Sequence, residues 1–129
     1  MDVGRLTLSL LPGPYAIARL DAADAWPAWA LGASGLVALA RTDDELSVIC
    51  REEAVPAGMP SQRGWRALKV HGPFPFDTVG VLASLVGALA GAGVSVLAVS
   101  TFDTDYLLIP EGQLAEAVAA LSVRHAVLI

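Results

Sequence analysis

The chain has 129 residues, the span of one domain or of two very small ones. Hydrophobic residues make up 55% and charged residues 16%, which excludes a disordered or low-complexity chain. The net charge of -5, with eight lysines and arginines that nowhere cluster, excludes nucleic acid and anionic membrane as partners, because both demand a basic patch.

A single cysteine, Cys50, leaves no internal disulfide. The start "MDVGRLTLSL" lacks the basic and long apolar regions of a secretory signal, so a reducing cytoplasm is expected.

In chain order, "RLTLSL" places Leu6, Leu8 and Leu10 on one face and Arg5, Thr7 and Ser9 on the other, the pattern of a half-buried strand that "PGP" ends. A second strand, 15–20, leads into an alanine-rich stretch where Pro27 permits only a short helix. "GLVALART" and "ELSVICREE" flank Asp43 and Asp44 as a hairpin. Residues 1–55 therefore read as a mostly stranded half. The prolines and glycines around 56–65 read as a linker.

Residues 66–129 read as a second half. "RALKVHGPFP" is a strand with a proline turn, and "DTVGVLASLVGALAGAG" is a helix capped by Asp77 or Thr78. The uncharged run from Val79 to Ser100 is long enough to cross a bilayer. The glycines at 91 and 93 split it into a helix and a buried strand instead, with Gly87 and Gly91 expected where the helix lies close to a neighbour. Two strands meet around Asp103 and Thr104, "EGQLAEAVAAL" is a helix, and "HAVLI" is a last strand. The order β-α-β-β-α-β is the α+β, ferredoxin-like unit, a four-stranded antiparallel sheet with both helices on one face. The first half reads as a degenerate copy of it.

The stretch "PFDTVGVLASLVGALAGAGVSVLAVSTFDTDYLLIP" resembles an ACT domain, the small-molecule-sensing module of aspartokinases and other amino-acid enzymes. Its ending, "STFDTDYLLIP", resembles more narrowly the tandem-ACT proteins of the CASTOR type. The resemblance implies a non-catalytic regulatory protein that binds an amino acid where two ACT units meet, as a homodimer and with no cofactor. The residues implied are Asp77, Thr78, Val79 and Gly80 at the helix start, with Ser100, Thr101, Phe102, Asp103, Thr104 and Asp105 at the strand end.

The residues themselves agree with that implication. The first N–H groups of a helix have no partner within it and favour a carboxylate, whereas aspartates favour an ammonium or a cationic side chain. A bland alternative is that Asp103 to Asp105 form only a solvated turn and Asp77 only a cap. Two other classes remain open on the sequence: a small enzyme using Asp103, Asp105 or His71 as acid or base, and a purely structural interaction module. His71 and His125 lack partners at ligand spacing, so no metal site is expected.

Overall fold

The computed structural model describes residues 4–74 and 78–129. In chain order the elements are β1 (Thr7–Leu10), β2 (Tyr15–Leu20), α1 (Ala28–Leu31), β3 (Ala38–Arg41), β4 (Leu46–Arg51), β5 (Ser61–Val70), α2 (Val81–Gly91), β6 (Leu97–Ser100), β7 (Asp105–Pro110), α3 (Leu114–Ser122) and β8 (Ala126–Leu128). Contacts divide the chain into two units, residues 12–65 on the one hand and residues 66–129 with the segment up to Leu11 on the other.

In the 12–65 unit the strand order is β3, β4, β2 and the first half of β5. All neighbours are antiparallel, and β2 lies flush with β4 from Tyr15 opposite Arg51 to Leu20 opposite Leu46. Alternation along β2 and β4 sends Ala16, Ala18, Leu46, Val48 and Cys50 to one face, where they form a core with Ala30 of α1 and Val55. The stretch 56–65, expected as a linker, ends in strand from Ser61 onward. Arg63 makes this possible. Its guanidinium donates to the carbonyls of Glu52, Val55 and Pro56, satisfying a turn that composition alone marks as irregular.

The second unit keeps the β-α-β-β-α-β order over the later half of β5, then α2, β6, β7, α3 and β8. Leu8, Leu68, Val70, Leu107 and Ile109 from the strands bury against Val81, Leu85 and Leu89 of α2 and Ala117 and Leu121 of α3. The helix residues recur at i, i+4 and i+8, which keeps them on one face. Gly93, at φ 73, ends the turn after α2, where the amide of Val94 donates back to the Leu89 carbonyl.

Three expectations change. Among the described residues the sheet of this unit has five strands, because β1 sits between β5 and β8, antiparallel to the former and parallel to the latter. A strand read with the first half therefore completes the second, since its two edges find partners about sixty and about a hundred and twenty residues away. The helix starts later than read, at Val81, with Gly80 at φ 91 as its cap and no side-chain cap. Thr78 therefore does not cap it, and Asp77 lies outside the described residues. Gly87 and Gly91 face open space rather than a close neighbour, because the packed side of α2 is the one carrying Val81, Leu85 and Leu89. Among the described residues no helix is long and apolar enough to cross a membrane.

Candidate functional site

Two segments of the second unit are tied together at one end of its sheet. After β5 the chain turns through Gly72 and Pro73, and after β6 it turns through Thr101 to Thr104 into β7. The second turn closes on itself, with the Thr101 amide donating to the Thr104 carbonyl at 2.7 Å and the Thr104 amide to the Thr101 hydroxyl. It is also fastened to the first. The buried Thr104 hydroxyl donates to the Val70 carbonyl at 2.5 Å, and the Phe74 amide donates to the Asp103 carbonyl at 2.9 Å. A Cβ on Gly72 would stand 2.8 Å from that same Asp103 oxygen, so only glycine permits this approach.

On the helix side of the fastened turn lies a cleft of about 260 Å³. Its walls are Phe74, Thr78, Gly80, Val81, Leu82 and Ala83, with Ser100 to Asp105 opposite. Within α2 the backbone ladder begins with the Ser84 amide donating to the Gly80 carbonyl, which leaves the amides of Val81, Leu82 and Ala83 outside it. Facing this positive helix end are two carboxylates. Asp105 accepts a 2.6 Å hydrogen bond from the Ser100 hydroxyl, while the Asp103 side chain has no partner among the described residues.

On the sheet side of the same turn lies a second cleft, of about 310 Å³, walled by Lys69, Gly72, Pro73, Thr101, Asp103, Thr104 and Tyr106.

The structure thus brings together eight of the residues singled out in the sequence: Thr78, Gly80, Ser100, Thr101, Phe102, Asp103, Thr104 and Asp105. Val79 is 62% exposed and does not line the helix-side cleft. Phe74, Val81, Leu82 and Ala83 join it unannounced. The signal for the last three was their place directly after the glycine cap, which the later helix start moves into the first turn. Lys69 carried no signal, since it reads as the solvent-facing position of an alternating strand.

Elsewhere, the His71 ring nitrogen Nε2 meets the Ser9 hydroxyl at 2.5 Å, and the buried His125 accepts from the Leu6 amide through Nδ1. No cluster of metal-ligating side chains occurs among the described residues. Burial pushes the Cys50 thiol pKa up, the environment of an inert thiol rather than a nucleophile.

The sequence model of the ACT-domain family matches residues 60–123. This segment is an ACT domain. A second family model, describing an N-terminal domain, matches residues 13–58. The human cytosolic arginine sensor for mTORC1 subunit 1 is 36% identical over 62 residues, which make up 47% of this chain and 19% of that protein. The match therefore spans about a fifth of the curated relative.

Among solved structures, a protein from Agrobacterium tumefaciens is 39% identical, with 98% of this chain and 94% of that one covered and a TM-score of 0.91. The ligand-free regulatory subunit of aspartate kinase from Thermus thermophilus matches 91% of this chain and 96% of its own at a TM-score of 0.62, with 14% identity. That likeness is one of fold. The ACT domain and its ferredoxin-like, α+β architecture agree with the resemblance carried by the sequence.

Proposed function

We propose that this protein is a non-catalytic regulatory sensor whose ACT domain binds a free amino acid in the helix-side cleft. One observation carries the reading: three amides at the start of α2 lie outside its ladder and face Asp103 and Asp105 across a single cleft. A ligand carboxylate is stabilised at the helix start, and its ammonium is stabilised by the aspartates. Gly80 lets that carboxylate come close to the backbone.

The charge balance narrows the ligand. Asp103 and Asp105 are the only ionisable groups among the described lining residues, so the cleft matches one carboxylate and two cationic groups. That is the make-up of a basic amino acid. The name of the human relative, an arginine sensor, supports the same class, and its description as cytosolic supports a cytoplasmic setting.

A homodimer completes the proposal. Among the described residues, strand β6 is paired on one edge only, with β7, and Ser100 at its end lines the cleft. A second copy on the open edge would cover unpaired backbone and stand beside the ligand. Occupancy would then favour the associated state and change what the dimer presents to its regulated partner.

The test is a thermal-shift and calorimetric screen against the twenty amino acids, repeated with Asp105→Asn. A basic amino acid is expected to raise the melting temperature of the wild type, and the substitution is expected to remove the shift while leaving the unliganded melt in place. No response to any compound would sink the sensor reading, and a response only to acidic or apolar amino acids would sink the charge argument.

A further inference from the structure

We propose that the sheet-side cleft is a second binding site, for a small zwitterion of the α-amino-acid type, with its carboxylate on Lys69 and its ammonium on Asp103. Lys69 and Asp103 line the same cleft of about 310 Å³, yet neither makes an ion pair with the other or with any described residue. Their side chains also make no hydrogen bond among the described residues. A cation and an anion facing one cavity without pairing fit a ligand that carries both charges and reaches from one to the other. A simple anion would meet Asp103, and a simple cation would meet Lys69.

The walls are already in place. Lys69 lies on β5 between Leu68 and Val70, whose side chains are buried in the core, so the alternation of the strand turns Lys69 to the opposite face. The Asp103 backbone is clamped to the end of that same strand by the Thr104 hydroxyl on the Val70 carbonyl and the Phe74 amide on the Asp103 carbonyl. Binding therefore orders two side chains and no loop. Pro73 and Tyr106 supply the apolar part of the lining.

Asp103 is the one carboxylate this site shares with the reading above; Lys69 and Tyr106 belong to it alone, and Leu82 and Ala83 belong to the helix-side cleft alone. Because the two clefts share the turn from Thr101 to Thr104, occupancy of one is expected to alter affinity at the other, reciprocally.

The experiment is an amide NMR titration of the full chain with each of the twenty free amino acids, and with acetate and methylammonium as single-charge controls. At least one amino acid is expected to shift Lys69 and Tyr106 saturably at concentrations where both controls do nothing. Lys69→Met, at an exposed position, is expected to weaken that response about tenfold or more, as loss of a charged hydrogen-bonding partner does. The Leu82 and Ala83 responses of the same variant persist. The proposal is overturned if Lys69 and Tyr106 stay silent throughout the panel, if the controls shift them equally, or if Lys69→Met titrates as the wild type. A response confined to Leu82 and Ala83 overturns it while leaving the helix-side reading intact, and a response confined to Lys69 and Tyr106 does the reverse.

Discussion

Replacing Thr104 with valine removes one hydroxyl and nearly preserves the shape of the side chain. That hydroxyl is buried, in a residue only 8% exposed, and donates to the Val70 carbonyl at 2.5 Å. Removing the donor leaves a buried acceptor short of a partner, which costs roughly 1–3 kcal/mol. For a chain of this length, between the two size classes for which the conversion is known, each kcal/mol moves the melting temperature by roughly 3–5 °C. A fall of about 3–15 °C is therefore expected from differential scanning calorimetry of Thr104→Val.

Thr104→Ser separates the hydroxyl from the packing. It keeps the donor and loses one methyl group, worth about 0.8 kcal/mol, so it is expected to fall by only a few degrees. The same bond holds the turn that carries Asp103, so Thr104→Val is also expected to weaken amino-acid binding while Thr104→Ser retains it. If Thr104→Val melts with the wild type, or if the serine variant falls as far as the valine variant, the hydroxyl does not hold the turn and the argument for a prebuilt cleft fails.

Two further outcomes follow from the cores and the thiol. Leu85→Ala empties a fully buried site between α2 and the sheet, and urea denaturation is expected to register a loss of about 2–5 kcal/mol; a loss below 1 kcal/mol would show that the site collapses or that the helix packs elsewhere. Burial raises the Cys50 pKa in the folded state, so above about pH 8.5 the unfolded chain ionises a thiol that the folded chain keeps protonated, and stability declines as pH rises. Cys50→Ala is expected to show a shallower decline than the wild type in urea melts from pH 7 to 10, and identical slopes would refute the linkage.

Local chemistry accounts for what was legible in the sequence. Leu46, Val48 and Cys50 alternate with Ser47, Ile49 and Arg51, and Val81, Leu85 and Leu89 recur every four residues, so strand, helix and buried face follow from periodicity alone. The acidic stretch after β6 was visible for the same reason, as charge where a buried strand ends. Two aspartates beside a helix start were therefore recognisable as a possible site before any fold was known.

What the linear chain by itself could not decide was which distant edges meet. The insertion of β1 between β5 and β8 depends on hydrogen bonds between backbones far apart in sequence, and backbone groups look alike in every residue. The start of α2 was misplaced because a side-chain cap and a left-handed glycine cap are both compatible with "DTVG", and the structure uses Gly80. Lys69 became a candidate only when Thr104 and Phe74 drew the Asp103 turn against the end of β5. Periodicity reports which face of its own element a residue occupies; the opposite wall of a cleft comes from another element, and only tertiary packing supplies it.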